Sequence, residues 1–162
     1  MDIQRRVTIL ESTLERQLAW IVAADAKTAF IFAVATAMLG LLASAAPAYG
    51  KWTPLGVTCA ATAAALLLAS LASVVAAVFP RTTGPKLSVI FFGAISSRAV
   101  DQYRTEIQGL TEEAYEEDLI QQCHINAVIA GVKFRWVKYG SVLLFIGVIP
   151  WLSAAYVLLR DK

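Results

Sequence analysis

The chain has 162 residues, 58% of them hydrophobic, and a formal net charge of +2. That hydrophobic share exceeds the roughly 45–50% of a soluble domain, and so small a net charge is not typical of a nucleic-acid-binding protein. Its two cysteines lie in unlike surroundings and it has one histidine, so we expect neither a disulfide framework nor a His/Cys metal site.

The N-terminal segment, residues 1–27, has the pattern of an amphipathic helix. Its apolar residues recur at steps of three and four, which places them on one helix face, while charged residues occupy the other faces. These apolar positions are Ile3, Val7, Leu10, Leu14, Leu18 and Ile21. Because no Gly or Pro separates this segment from the apolar run that follows, we expect one continuous helix over residues 3–46.

Three stretches of the chain contain no Lys, Arg, Asp or Glu, and each is longer than the ~20 residues that a helix needs to cross a bilayer. Backbone amides in hydrocarbon must be satisfied within the segment, so these stretches are predicted to be helices. The predicted spans are residues 28–46, 55–79 and 139–159.

The long connection, residues 80–138, has two parts. Residues 87–93 form an apolar run that is too short to span a membrane and is expected to be extended. Further on, Thr111 precedes a cluster of acidic residues, which is typical of a helix N-terminus. That helix is predicted to continue into the third span and to pair with the N-terminal helix. The sequence thus indicates an all-α membrane protein with three spans and a cytoplasmic helical extension of the first and third.

The distribution of basic residues predicts the orientation. Eleven of the fourteen Lys and Arg residues lie in residues 1–27 and 80–138. Because cytoplasmic loops are enriched in Lys and Arg, we expect a multi-pass protein of the bacterial inner membrane, with its N-terminus in the cytoplasm and its C-terminus outside.

No catalytic site is predicted. The cytoplasmic segments contain no Gly-rich phosphate loop and no Cys/His pairing, so a membrane-bound enzyme is a remote alternative. Small residues recur every four positions in the first two spans, at Thr36, Gly40 and Ser44 and at Gly56, Ala60 and Ala64. This spacing is compatible with packing inside one hairpin or with a subunit interface.

Two motifs resemble a known family. The pattern W-I-x-x-A-D-x-K, at Trp20–Lys27, leads into the first span, and F-F-G-x-I, at Phe91–Ile95, follows the second. Together with His124-Ile125-Asn126 and Lys133-Phe134 before the third span, this layout resembles the small transmembrane effectors of Pycsar antiphage systems.

The resemblance implies a function. In such systems a partner cyclase makes cyclic CMP or cyclic UMP, and the effector responds by impairing the inner membrane, which arrests or kills the cell. The resemblance implies a similar role here, with a cyclic pyrimidine nucleotide as the activating ligand. From the residues themselves we expect no catalysis, cofactor or metal. Because three helices alone cannot enclose a useful aqueous channel, a pore would need several copies, so we expect a homo-oligomer. The sequence has no room for a β-roll nucleotide-binding domain, so the cytoplasmic helices and the 87–97 loop would have to form the ligand site, which we expect to lie between subunits.

Candidate ligand residues follow from the chemistry of a cyclic nucleotide. Its phosphate requires cations or amide donors, its base stacks on a flat ring, and the Asn126 amide can bind a pyrimidine edge. The candidates are Lys86, Phe91, Phe92, Arg98, Tyr103, Arg104 and Asn126. Anchoring to anionic headgroups is the alternative for the basic residues, and an interhelical hydrogen bond is the alternative for Asn126.

Asp25 and Lys133 each lie about one turn from a predicted span, where an unpaired charge is costly. We expect them to form a structural bridge between the two long helices.

The main alternative function is a non-enzymatic scaffold or accessory subunit whose cytoplasmic helices dock a protein partner. It predicts a stable protein complex and no nucleotide binding. The sequence does not distinguish cyclic CMP from cyclic UMP, and it gives neither the number of subunits nor the form of the membrane damage.

Overall fold

A computed structural model describes residues 1–48, 51–80, 84–85 and 87–160. Its helices are α1 (Ile3–Ala45), α2 (Pro54–Val78), α3 (Phe92–Ser96), α4 (Val100–Gln108) and α5 (Glu112–Arg160). These described residues contain no strand. Helices α1, α2 and α5 are long and apolar enough to cross a membrane. The all-α membrane fold predicted from the sequence is confirmed.

Local chemistry explains where two of the helices begin. Thr53 precedes α2, and its side-chain oxygen accepts a hydrogen bond from the Gly56 amide at 3.1 Å, while Pro54 supplies a backbone angle suited to the first turn. Thr111 likewise accepts from the Ala114 amide at the start of α5, where Glu112 and Glu113 complement the helix dipole. Helix α2 ends two residues before Pro80, which has no amide hydrogen to continue the pattern.

The chain forms two compact units. Unit 1 comprises residues 1–23 and 80–132, and unit 2 comprises residues 24–79 together with the chain from residue 133 onward. The long helices α1 and α5 each contribute residues to both units.

Unit 2 is a bundle of three apolar helix segments. Its core stripe on α1 is spaced by three and four residues, and similar stripes on α2 and α5 pack against it. The core residues on α1 and α2 are Ala24, Ile31, Ala35, Met38, Leu42, Ala63, Leu67, Val74 and Ala77. Polar groups inside the bundle are satisfied: the Ser70 hydroxyl donates to the Gly140 carbonyl at 2.8 Å, and the Trp151 indole donates to the Met38 carbonyl at 2.9 Å.

Unit 1 combines α3 and α4 with the N-terminal parts of α1 and α5. The two long helices run in the same direction there, because successive residues of α1 contact successive residues of α5. The Gln4 amide donates to Glu112, Arg6 pairs with Glu116, and the Cys123 thiol donates to the Leu10 carbonyl at 3.4 Å. Leu119 and Ala94 are among the buried side chains of this unit.

The 87–93 run differs from the extended segment expected from its sequence. Phe92 and Gly93 belong to α3, and the residues before them form a turn. The cause is Ser88, whose hydroxyl oxygen accepts hydrogen bonds from the amides of Ile90 at 3.1 Å and Phe91 at 2.8 Å. Such local side-chain bonds compete with strand formation.

Candidate functional site

The turn that precedes α3 is held from three sides. The Val89 amide donates to an Asp118 carboxylate oxygen on α5 at 2.8 Å, and the Tyr103 hydroxyl on α4 donates to the Val89 carbonyl at 2.9 Å. The Arg98 guanidinium donates to the carbonyl of Ser88, itself only 2% exposed, at 2.9 Å. These bonds fix the position of the residues that follow the turn.

The ring of Phe91 lies directly on the backbone of two glycines. A Cβ atom added at Gly84 or at Gly93 would be 2.5 Å from atoms of this ring, a distance that real Cβ contacts essentially never show. Phe91 also contacts Phe92, with ring centroids 4.9 Å apart and a tilt of 58°. The absence of side chains at the two glycines therefore sets where the Phe91 ring lies.

Phe91 and Phe92 border a cleft of about 420 Å³ within unit 1. Its described lining residues are Leu14, Leu18, Ile90, Phe91, Phe92, Gln122, Ile125, Asn126 and Ile129. All of them are apolar except Gln122 and Asn126, whose side chains lie one turn apart on the same face of α5. The cleft therefore combines aromatic and aliphatic walls with two neutral amides, and it lies within the size range of small-molecule pockets, roughly 300–1,000 Å³.

Several polar side chains of unit 1 are incompletely hydrogen-bonded within the described part of the chain. Gln122 is 6% exposed, and no described residue forms a hydrogen bond with its side chain. The side-chain oxygen of Gln17, on α1, is also buried without a partner in the described part of the chain, as is one oxygen of Asp118. Buried amides without partners are uncommon in native proteins because each costs free energy, about 1–3 kcal/mol.

The structure separates the seven candidate ligand residues into groups. Phe91, Phe92 and Asn126 line the cleft. Arg98 and Tyr103 hold the turn instead, and the Arg98 guanidinium also lies 2.9 Å from a Glu106 carboxylate oxygen. Lys86 lies outside the described residues.

The remaining candidate, Arg104, lies on the exposed surface of α4. Its guanidinium pairs with Asp101, one turn earlier in the same helix, at 2.5 Å. Exposed pairs of this spacing contribute little to stability. Arg104 is not among the described residues that line the cleft.

Asp25 and Lys133 lie together in unit 2. The Lys133 ammonium nitrogen is 2.5 Å from an Asp25 carboxylate oxygen, and the Lys133 side chain is 13% exposed. This pair joins α1 to α5, so each charge has a partner close to the apolar part of its helix.

Unit 1 contains a second interhelical ion pair that the sequence analysis did not predict. Arg6 binds Glu116 through two of its guanidinium nitrogens, at 2.5 and 2.9 Å. This hydrogen bonding lowers the pKa of Glu116 and raises that of Arg6. Nearby, burial and a hydrogen bond to Glu11 raise the pKa of Tyr115 to about 12. The polar end of the α1–α5 contact is thus charged and hydrogen-bonded.

Gln122 is the polar residue of the cleft that was not among the candidates from the sequence. It precedes Asn126 by four positions, so helical spacing alone places the two amides on one face, and that spacing was a usable signal. Asp118 and Ser88 carried no such signal, because their roles depend on how the 87–91 turn folds. Among the described residues, no group of three His, Cys, Asp or Glu side chains is arranged to hold a metal ion.

Comparison with known proteins identifies the family. Curated proteins and solved structures gave no significant match. A family model described as "Pycsar effector protein domain" matches residues 9–160, which include unit 2, the cleft and nearly all of α1 and α5. The match covers most of the chain and confirms the resemblance drawn from the two motifs. The chain therefore belongs to the Pycsar effector family.

Proposed function

We propose that this protein is an antiphage effector that impairs the inner membrane when a cyclic pyrimidine nucleotide binds its cytoplasmic unit. The family match over residues 9–160 is the observation that carries the proposal, because a Pycsar effector acts downstream of a cyclase and its nucleotide signal. In this proposal the protein is not an enzyme; the partner cyclase supplies the chemistry, and the effector supplies the response.

The geometry supports unit 1 as the receiving part. Its cleft is bordered by aromatic rings and by two amides. The turn before α3 is held by hydrogen bonds with Arg98, with Tyr103 on α4 and with Asp118 on α5. Residues 1–27 and 80–138, which include all of unit 1, contain eleven of the fourteen Lys and Arg residues. The positive-inside rule favours the cytoplasm for such segments, where an intracellular messenger is accessible. The C-terminus is then outside.

The exposed surface of unit 2 supports assembly of several copies. Only 22–33% of the most apolar window of each candidate span is buried within one chain, so most of that surface is free to contact lipid or other subunits. Three helices enclose no aqueous channel of useful width, and damage to the membrane therefore requires several copies in this proposal.

Co-expression tests the function directly. Cells producing the protein together with an active pyrimidine nucleotide cyclase are expected to lose membrane potential, which a voltage-sensitive dye reports, and to stop growing. The matched control is the same pair with a catalytically inactive cyclase, which leaves the potential intact. Unchanged potential with both active cyclase and confirmed membrane expression of the effector would contradict the proposal.

One observation favours the scaffold alternative. Unit 1 exposes large apolar side chains at Leu87, Val100 and Phe92, which are 88%, 74% and 65% exposed. Exposed apolar surface of this kind marks docking sites for proteins. A scaffold would retain a stoichiometric protein partner through purification and would show no heat of binding with cyclic nucleotides. Calorimetric titration of the purified protein with cyclic CMP and cyclic UMP therefore separates the two functions.

A further inference from the structure

We infer that the unit 1 cleft binds the planar base of the activating nucleotide, and that the amides of Gln122 and Asn126 form hydrogen bonds with the edge of that base. The inference rests on the proposed function and adds the ligand group that enters the cleft and the two side chains that recognise it.

The described walls of the cleft select for a flat, uncharged group. They consist of leucine and isoleucine side chains and the rings of Phe91 and Phe92, and none of them is charged. A phosphate transferred into such surroundings would lose its hydration without gaining a counter-ion. A heterocyclic base is neutral, and unstacked bases are commonly bound against aromatic side chains with their edges hydrogen-bonded. The base is therefore the part of a cyclic nucleotide that suits this lining.

The two amides explain why a purely apolar occupant does not suit the cleft. Gln122 is 6% exposed, and no described residue forms a hydrogen bond with its side chain. An acyl chain or detergent tail would cover the Gln122 amide and offer it no partner, at a cost of about 1–3 kcal/mol for a buried group. The half-buried Asn126 amide would also lose contact with water. A ligand that presents a donor and an acceptor side by side removes that cost. Side-chain amides recognise base edges in this way in protein–nucleic acid complexes.

The spacing of the amides fits a single small ring. Residues four apart on a helix lie about 6 Å from each other, which brings both amides within reach of one ligand. Ile125 and Ile129 flank them on α5, and Leu14 and Leu18 approach from α1. The two amides thus have apolar neighbours from both helices, and a base bound in the cleft would displace water from them.

Calorimetric titration of the full-length protein in lipid nanodiscs tests the inference, with cyclic CMP and cyclic UMP as the probes. Gln122→Leu and Asn126→Leu are each expected to weaken binding of the responding nucleotide by about tenfold or more, which corresponds to roughly 1.4 kcal/mol. Gln121→Leu is the matched control, because Gln121 immediately precedes Gln122 on α5, is exposed, and bonds only Glu117 among the described residues. Its affinity should equal that of the wild type.

Thermal unfolding without nucleotide separates recognition from a structural role. Because Gln122 has no partner in the described structure, Gln122→Leu should leave the melting temperature unchanged or raise it. A variant that melts earlier and binds more weakly would overturn the inference, since it would show that the amide supports the fold. Unchanged affinity in both leucine variants would overturn it as well. If the wild type itself binds neither nucleotide, the proposed function fails, and the inference fails with it.

A modified nucleotide provides a second arm. Cyclic UMP methylated at N3 keeps the planar ring and the phosphate but replaces the N3–H donor of the base edge with a methyl group. It is expected to bind the wild type at least tenfold more weakly than cyclic UMP does, and to lose this disadvantage in Gln122→Leu. Equal binding of the methylated and unmethylated forms by the wild type would show that the edge is not recognised.

Discussion

The Phe91 ring lies where it does in unit 1 because Gly84 and Gly93, which it contacts, have no side chain. An added Cβ at Gly93 would lie 2.5 Å from the ring, so the ring or the α3 backbone must move. Gly93→Ala is expected to destabilise the protein by about 1–3 kcal/mol, the usual cost of overpacking. The measurement is the melting temperature of the purified protein.

Gly131 is the matched control for that substitution. It lies inside α5, and an added Cβ would have nothing within 4 Å. Gly131→Ala should therefore stabilise the helix, by roughly 0.5–1 kcal/mol, because alanine restricts the unfolded chain more than glycine does. A decrease in melting temperature for both variants would show that steric contact with Phe91 is not the cause.

The Arg6–Glu116 pair predicts a dependence of stability on pH. Arg6 holds the pKa of Glu116 below its ordinary value of 4.5, so the folded state favours the ionised carboxyl. Its contribution is fully present above about pH 4.5 and is lost as the pH falls through the lower folded pKa. Glu116→Gln is therefore expected to melt earlier than the wild type at pH 7, and the gap should shrink below pH 4.5. Glu113→Gln, at an exposed position of α5, should show no comparable gap; a constant gap for Glu116→Gln would contradict the argument.

At the residue scale, the sequence did not predict which of the candidate ligand residues lie together. Asn126 and the two phenylalanines do line the cleft, whereas Arg98 and Tyr103 bind the turn. A sequence shows that a guanidinium is present, but its partner depends on tertiary contacts with residues such as Glu106. The ligand roles of these residues stay predictions.

Helices α2 and α5 are in close contact because α5 presents glycine to α2. At Gly140 an added Cβ would lie 3.5 Å from the Ser70 carbonyl oxygen and from the Ser73 Cβ, which leaves room for a methyl group but not for a larger side chain. Gly140→Leu is expected to force the helices apart, to break the Ser70–Gly140 hydrogen bond and to destabilise the fold by at least about 1–3 kcal/mol. Thermal unfolding in nanodiscs measures this effect.

Gly40 on α1 provides the matched control within a span. An added Cβ there would have nothing within 4 Å, so Gly40→Leu should leave the fold of one chain intact. Equal destabilisation by the two leucine substitutions would show that bilayer insertion, rather than α2–α5 packing, determines the result. The small-residue spacing noted in the sequence lies in the first two spans. It did not predict that Gly140 and Gly147 of α5 lie against α2.

At the element scale, the long helices were predictable and the short ones were not. Uninterrupted apolar runs and the Thr111 cap indicate α1, α2 and α5. A long apolar segment in hydrocarbon must satisfy its backbone hydrogen bonds internally, and a helix does so. Helices α3 and α4 have 5 and 9 residues and lack a side-chain cap hydrogen bond at their first turns. Their positions depend on the turn formed around Ser88, and no periodic pattern of apolar residues in the sequence predicts that turn.

For the whole molecule, the distribution of basic residues predicts a cytoplasmic N-terminus and a cytoplasmic 80–138 segment. The test uses a protein in which Cys59 and Cys123 are replaced by alanine and one new cysteine is introduced. Lys51→Cys is expected to react with a membrane-impermeant maleimide in cells with a permeabilised outer membrane. Glu113→Cys should react only after lysis. The opposite pattern would place the cleft on the wrong side for an intracellular messenger.

Family membership and the three spans were accessible from the sequence at this scale, because both depend on patterns that extend over most of the chain. The division into two units was not, since α1 and α5 pass from one unit to the other without a Gly- or Pro-rich linker. Domain boundaries are usually found in such linkers, and here none is present in the described helices.

If the Gln122 and Asn126 amides bind the base as proposed, their chemistry bears on which nucleotides the cleft accepts. Cytosine and uracil present opposite donor and acceptor arrangements at their N3 and C4 positions, and a carboxamide reverses its own arrangement by turning about a single bond. Side chains of this type accommodate either base without a change in the protein sequence. The cyclase would then determine whether the messenger is cyclic CMP or cyclic UMP. The same effector cleft would be compatible with a cyclase of either specificity.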